Sequence, residues 1–166
     1  MRHPFIVIRT VVLIVAIWLV FGWLLWHLRW LDRRWGLVLP RWTFVLGLPL
    51  GFAGGLLVLG CGGLLSTRGI LSRGGRDWLF PTEFVAFGPF RYVRNPMSLG
   101  AIILLAGIGL CGRSISILVV TLLAFPFLHS VAVLIEEPGL ERRFGTSYRT
   151  YKSQVNRWLP RLPRKA

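Results

Sequence analysis

Residues 97–135 read MSLGAIILLAGIGLCGRSISILVVTLLAFPFLHSVAVLI, and Arg113 is the only charged residue among them. Residues 115–135 are long enough to cross the hydrocarbon core of a bilayer, which takes about 20 apolar residues. Residues 97–112 are marginal in length, and only Arg113 and Ser114 separate the two segments. Because so short a link brings its two flanking segments side by side, the stretch predicts an antiparallel helical hairpin.

Two further apolar segments precede the hairpin, at about residues 5–26 and 44–65, and only Arg9 interrupts the first. The chain of 166 residues is 54% hydrophobic and 16% charged, whereas soluble domains are about 25% charged. We therefore predict an all-α integral membrane protein, a single domain over residues 1–166 with about four transmembrane helices in the lipid bilayer. Whether residues 97–112 cross the bilayer completely stays open.

The distribution of positive charge indicates an orientation in the membrane. The net charge is +14, and four crossings would place fourteen Arg and Lys residues on the side of both termini, against five on the other side. The positive-inside rule then puts both termini and the 66–96 loop in the cytoplasm. Because the basic residues flank membrane segments, we expect no nucleic-acid partner. Eighteen of the twenty basic residues are arginine, which fits a GC-rich genome and hence a bacterial inner membrane.

Small residues in the second segment predict close helix packing. Gly47, Gly51 and Gly55 recur every four residues, so they lie on one face of a helix where another backbone can approach. A ligand groove at the same face is the alternative. Cys61 and Cys111 are fifty positions apart with no CxxC motif or histidine cluster, so we expect neither a disulfide nor a metal site.

Acidic residues are concentrated where the last apolar segment ends. Three of the six in the chain, Glu136, Glu137 and Glu141, lie there. Carboxylates at a membrane edge usually have a cationic or hydrogen-bonding partner. His129 precedes Glu136 by two helical turns, so the pair should share a face about 10 Å apart and could line a polar pocket. A structural histidine bonded to a backbone carbonyl is the alternative.

The segments on either side of the hairpin carry helix-boundary signals. Asn95 and Pro96 suit the start of the third helix, with Asn95 as its N-cap. Free N–H groups there could bind a carboxylate, although a plain helix start explains both residues equally well. After the glutamates, Pro138 and Gly139 should break or tilt the helix. We expect an interfacial amphipathic tail helix next, and then a non-helical strap over residues 156–161. The apolar positions of the tail helix are Leu140, Phe144, Tyr148, Tyr151 and Val155.

Two motifs within residues 88–161 carry a resemblance to a known family. They are GPFRYVRNPMSLG at residues 88–100 and HSVAVLIEEPGLERRFGTSYRTYKSQVNRWLPR at residues 129–161. In order and spacing they resemble the isoprenylcysteine carboxyl methyltransferase family. More broadly, they are similar to the membrane methyltransferases that include the phospholipid N-methyltransferases.

This resemblance implies an S-adenosyl-L-methionine-dependent methyltransferase. Its acceptor would be a lipophilic small molecule or a lipidated molecule, methylated on a carboxylate or an amine. Arg94, His129 and Glu137 are the catalytic residues that the resemblance and the local chemistry favour, with His129 as a possible base for an amine. The positions expected to contact the cofactor are Arg94, Asn95, Pro96, Gly100, Glu136, Glu137, Tyr148, Tyr151 and Arg157.

Other functions stay open at this stage. A membrane NADPH-dependent reductase is one, because sterol and steroid reductases resemble this superfamily in their C-terminal hairpins. A non-catalytic membrane protein that keeps the scaffold is another. Ser98 supports that alternative or a changed substrate, because it stands where the family commonly has tyrosine. The sequence indicates no oligomeric state.

Overall fold

Helices account for every regular element in the computed structural model, which describes residues 3–71 and 88–160. The five α-helices are α1 His3–Trp35, α2 Thr43–Leu71, α3 Pro96–Gly112, α4 Ile115–Val131 and α5 Glu137–Gln154. A π-helical segment, Ala132–Glu136, joins α4 to α5. The expected all-helical fold is confirmed. The loop predicted at 66–96 begins later, because α2 continues to Leu71; residues 72–87 and 161–166 lie outside the described ranges.

Long apolar helices give the fold its membrane character. In the described ranges, two helices are long and apolar enough to cross a membrane: Thr43–Leu65 of α2, and the continuous helix Ile115–Gln154. Only 17% of the most apolar stretch of each is buried, so most of its side chains face outwards as in a lipid-embedded helix. The second helix has 40 residues and would extend about 60 Å, twice the hydrocarbon thickness. Its apolar part ends at Ile135, and the polar α5 lies beyond the span.

The hairpin between α3 and α4 turns within two residues, as the sequence predicts. Arg113 ends α3 in the left-handed conformation, with φ at 58°, and its N–H donates to the carbonyl of Leu110. Ser114 then begins α4 as its N-cap and accepts a hydrogen bond from the N–H of Ile117 at 3.2 Å. The two helices therefore pack beside each other as an antiparallel pair.

A buried carboxylate on α1 holds this turn, and no sequence pattern indicated it. The side chain of Asp32 is 1% exposed and accepts hydrogen bonds from the hydroxyl of Ser114 and, at 2.5 Å, from that of Ser116. It also accepts from the N–H of Ser116 at 3.1 Å. Asp32 thus supplies acceptors and a negative charge to the start of α4, where the helix dipole is positive.

Glycines allow α2 and α3 to form the most extensive contact between helices of the described chain. A Cβ added to Gly107 would lie 2.3 Å from the backbone nitrogen of Gly51, and one added to Gly54 would lie 2.3 Å from that of Leu104. The prediction of close packing is therefore confirmed at Gly51, and also at Gly47, where an added Cβ would lie 2.6 Å from the backbone nitrogen of Cys111. It is wrong at Gly55, whose added Cβ would meet only a side-chain methyl at 4.0 Å. The neighbouring Gly54 faces α3 instead.

The expected break at Pro138 and Gly139 is wrong. Pro138 sits in the first turn of α5, directly after the π-helical segment, and the helix continues through it. The backbone departs from α-helical geometry earlier, in Ala132–Glu136, and later, at Gly145 with φ 54° and ψ −127°. Glycine adopts positive φ at little cost, so α5 is kinked in its middle.

Candidate functional site

The site is built around the carboxylate of Glu137, whose side chain is only 3% exposed. Arg157 binds it with two hydrogen bonds, Nε to Oε1 at 2.6 Å and Nη2 to Oε2 at 3.1 Å. Arg94 donates from Nη1 to Oε1 at 2.8 Å, and Lys152 places Nζ 3.2 Å from Oε2. These four residues, the Glu137 cluster, connect the start of α3, the start and end of α5, and the strap that follows it.

Positive charge keeps Glu137 ionised despite its burial. Burial alone would raise the pKa of this carboxyl, but the hydrogen bond from Arg157 and the charge of Arg94 outweigh it. The pKa of Glu137 is therefore lowered from its ordinary value. Three cationic side chains share one carboxylate, so the cluster has an excess of positive charge. This excess suits the site to an additional anion.

The strap is also fixed to the start of α3 through the backbone. The N–H of Arg94 donates to the carbonyl of Asn156 at 2.9 Å, and the N–H of Asn95 donates to that of Arg157 at 3.3 Å. Asn95 occupies the N-cap position of α3 as predicted, but its side chain makes no capping hydrogen bond. The strap carbonyls accept from the N–H groups of Arg94 and Asn95, which precede the helix, and so fix the backbone at its start.

Two buried donors beside the cluster have no hydrogen-bond acceptor among the described residues. They are Nε of Arg94 and Nδ2 of Asn95. Arg94 is 11% exposed, so water can satisfy its guanidinium only in small part. Buried donors are almost always paired in folded proteins, and an unpaired set of this kind is typical of a ligand site.

The two adjacent glutamates have different environments. Glu137 is buried, whereas Glu136 is exposed and has no ion pair or hydrogen bond with the described residues. The expectation that Glu136 shares a face with His129 is therefore wrong. A π-helical turn inserts one residue and rotates the rest of the helix by about 100°, so Glu137 takes the angular position that Glu136 would have in an uninterrupted α-helix.

His129 contacts the strap and not the Glu137 carboxylate. The indole N–H of Trp158 donates to Nδ1 of His129 at 3.0 Å, and the two rings are stacked with centroids 6.2 Å apart. Phe125 packs against the same indole at 5.2 Å. This hydrogen bond requires Nδ1 to be unprotonated, so a neutral His129 carries its proton on Nε2.

The other predicted site residues lie around the cluster in two groups. The tyrosines Tyr148 and Tyr151 are buried with ring centroids 5.9 Å apart, and the hydroxyl of Tyr151 donates to the carbonyl of Phe90 at 2.6 Å. Pro96 is buried at the start of α3, and Gly100 faces α2, where an added Cβ would lie 3.1 Å from the carbonyl of Gly54. Helix packing therefore accounts for the glycine at position 100.

Two contributors to the site were missed by the sequence analysis, Lys152 and Trp158. Lys152 follows Tyr148 by four residues, so a helical-wheel comparison with the buried tyrosine could have placed it towards Glu137. Trp158 directly follows Arg157, but nothing local indicates that its indole would reach a histidine 29 residues earlier.

Comparisons with known proteins concern the family and the fold of the chain. The family model described as phospholipid methyltransferase matches residues 50–147, more than half of the chain. Among solved structures, the fold is similar to the eukaryotic intramembrane Ras methyltransferase ICMT (isoprenylcysteine carboxyl methyltransferase), with a TM-score of 0.63 and 19% sequence identity. The match covers 87% of this chain and 52% of that one, so this chain spans about half the length of the solved protein. The comparison with curated proteins found no match.

Proposed function

This chain belongs to the phospholipid methyltransferase family, and on that premise we propose that it transfers a methyl group from S-adenosyl-L-methionine to a lipophilic acceptor in the membrane. The observation that carries the proposal is the Glu137 cluster. It joins Arg94, Lys152 and Arg157, which come from separate segments of the chain, and leaves donors of Arg94 and Asn95 free for a ligand.

The chemistry of the residues fits the proposed cofactor. S-adenosyl-L-methionine carries a carboxylate, an ammonium, ribose hydroxyls and an adenine, and it supplies an electrophilic methyl group on its sulfonium. We assign its carboxylate to Nε of Arg94 and Nδ2 of Asn95, the two buried donors that lack an acceptor in the described chain. We assign its ammonium or ribose hydroxyls to Glu136, whose carboxylate is exposed and unpaired among the described residues.

Glu137 has a positioning role in this proposal. Both of its oxygens already accept from Arg157, and Arg94 and Lys152 add a third and a fourth contact. A carboxylate so fully occupied holds cations in place and does not act as an acceptor for a ligand. Glu137 would thus fix the Arg94 guanidinium, while Tyr148 and Tyr151 support the same region from α5.

The proposed reaction needs little acid–base chemistry from the protein. Methyl transfer is an in-line displacement, and holding two reactants in line can supply much of the rate. A carboxylate acceptor is already ionised and needs no base. Nδ1 of His129 already accepts from Trp158, so we assign strap attachment to His129.

The proposed setting follows the charge distribution. We place both termini in the cytoplasm of a bacterial cell and the protein in the inner membrane, as the excess of arginine on that side favours. Four spans, with α1 and α3 crossing beside α2 and α4, complete this arrangement. A lipophilic acceptor would enter laterally from the bilayer and approach the Glu137 cluster from the membrane side.

Calorimetric titration of the full chain in detergent with S-adenosylhomocysteine tests the cofactor assignment. We expect micromolar binding that Glu136→Gln weakens at least tenfold, the size of losing one hydrogen bond to a charged group. Glu141→Gln is the matched control, because Glu141 lies five residues further along the chain and its nearer partner, Arg149, is 67% exposed and outside the Glu137 cluster.

Methyl transfer itself is measured with radiolabelled S-adenosyl-L-methionine and extracted membrane lipids as acceptors. The proposal is supported if radiolabel enters the lipid fraction only when the wild-type protein is present. Folded protein that binds no S-adenosylhomocysteine would overturn it, and so would equal binding by NADPH.

A further inference from the structure

The polar side of α5 carries a groove that the Glu137 cluster does not use. It is a shallow depression of about 310 Å³ lined by Pro138, Glu141, Arg142 and Arg149. We call it the α5 groove. It opens to the outside of the molecule just beyond Ile135, where the apolar part of the membrane helix ends.

The kink at Gly145 helps to build the α5 groove. In a straight helix, Glu141 and Arg149 would be separated by about 12 Å along the axis. Here Nε of Arg149 lies 2.8 Å from Oε1 of Glu141, and Arg149 lines the same depression as Arg142. The left-handed glycine between them changes the direction of α5, so two guanidinium groups from different turns come to one place.

The charges of the α5 groove favour a ligand with a net negative charge. Both oxygens of Glu141 have cationic neighbours, Arg149 at 2.8 Å and Lys152 at 3.8 Å. Glu141 is therefore not available to a ligand ammonium. Arg142 is exposed and has no ion pair with the described residues, so its guanidinium is free for a phosphate oxygen. Two guanidinium groups line the groove against one carboxylate, which leaves an excess of positive charge.

The surroundings of the α5 groove favour a lipid as the source of that phosphate. Leu134 and Ile135 precede Pro138 by four and three residues, so they lie about one turn nearer the membrane. They are 72% and 66% exposed. An apolar surface directly below a cationic groove matches a phospholipid, with its acyl chains in the membrane and its phosphate at the boundary.

We propose that the α5 groove binds an anionic phospholipid, with the phosphate between Arg142 and Arg149 and the acyl chains along Leu134 and Ile135. This lipid is separate from the methyl acceptor, and the site does not depend on the proposed methyl transfer. Its binding would attach the kinked α5, and with it the Glu137 cluster, to the membrane surface.

The test is native mass spectrometry of the full chain in a neutral detergent, titrated with phosphatidylglycerol. We expect Arg142→Gln and Arg149→Gln each to weaken binding about fivefold, because each removes a direct hydrogen bond to the phosphate worth about 1 kcal/mol, and the double variant to weaken it more than tenfold. Arg143→Gln is the matched control: Arg143 is adjacent and exposed, but it lies over the ring of Phe144 at 5.3 Å and does not line the groove. Its binding should stay within twofold of wild type.

Two further compounds test whether the groove recognises an anionic lipid or a phosphate group alone. Phosphatidylcholine with the same acyl chains should bind at least fivefold more weakly than phosphatidylglycerol, because its ammonium finds no free carboxylate in the groove. Glycerol 3-phosphate, which lacks the chains, should not displace the lipid at millimolar concentration. Equal binding of both lipids, displacement by glycerol 3-phosphate, unchanged binding by the double variant, or an equal loss in Arg143→Gln would each overturn the proposal.

Discussion

Replacing Glu137 by glutamine tests whether one carboxylate holds the strap to the start of α3. The substitution keeps the size of the side chain but removes its charge. Arg94 and Arg157 then lose their ionic partner, and the amide NH₂ replaces one of the two carboxylate oxygens that accept from Arg157. Arg94 is 11% exposed and Arg157 is 22% exposed, so neither can recover full hydration in place.

The magnitude follows from the burial of the partners. Removing one member of a buried ion pair costs about 3–5 kcal/mol. We expect the lower end, about 3 kcal/mol, because Lys152 is 39% exposed and can turn to solvent. If the whole loss applies to the equilibrium between the attached and the detached strap, the population with a detached strap increases about 100-fold.

Hydrogen exchange of two backbone amides measures that population directly. The N–H groups of Arg94 and Asn95 donate to strap carbonyls, so they exchange when the strap detaches. In Glu137→Gln both should exchange about 100-fold faster than in wild type, while amides in the middle of α3 stay protected. Mass-spectrometric readout on detergent-solubilised protein resolves the peptide that contains both amides.

A control variant at a surface carboxylate shows whether the faster exchange is specific to Glu137 or follows the loss of any nearby negative charge. Glu141→Gln removes a carboxylate whose partners, Arg149 and Lys152, are 67% and 39% exposed, so exchange at positions 94 and 95 should change less than fivefold. If folded Glu137→Gln exchanged at these amides within threefold of wild type, the carboxylate would not hold the strap and the reasoning would fail.

Three further predictions concern packing, the α1 attachment and pH. Gly107→Ala places a Cβ 2.3 Å from the nitrogen of Gly51 and should lower the free energy of unfolding by about 1–3 kcal/mol, measured by thermal unfolding. Gly60→Ala adds a Cβ with nothing within 4 Å and should change the stability little, so equal melting temperatures of the two variants would contradict the tight α2–α3 contact. Asp32→Ala leaves the buried donors at the start of α4 without an acceptor and should lower the free energy of unfolding by about 1–3 kcal/mol in the same assay. An unchanged melting temperature would refute the role of Asp32 in capping α4. Because the folded pKa of Glu137 is lowered, its contribution is complete above its unfolded pKa of about 4.3 and is lost as the pH falls through the lower folded value. The protection of amides 94 and 95, measured against the intrinsic exchange rate at each pH, should therefore fall only below about pH 4, and a loss of protection near pH 6 would be inconsistent with this cause.

Local patterns were sufficient where a feature depends on one segment alone. The apolar length of residues 115–135 predicts a membrane helix, and the Arg113–Ser114 link predicts the hairpin, because neither depends on a distant partner. The concentration of glutamates at the end of α4 likewise indicates where polar chemistry lies. A helical period could not distinguish Gly54 from Gly55, since it does not show on which side the neighbouring helix packs.

Sequence alone therefore determined the membrane character and the helices and indicated where the candidate site lies, because hydrophobic length, turn chemistry and motif spacing act over short stretches of chain. Tertiary structure decided which of two adjacent glutamates is buried, since the π-helical turn changes the angular register that a regular helix would have. It also decided that Asp32 binds Ser114 and that Trp158 binds His129. Those contacts depend on how separate helices pack, and burial of polar groups makes partners necessary without specifying from which segment they come.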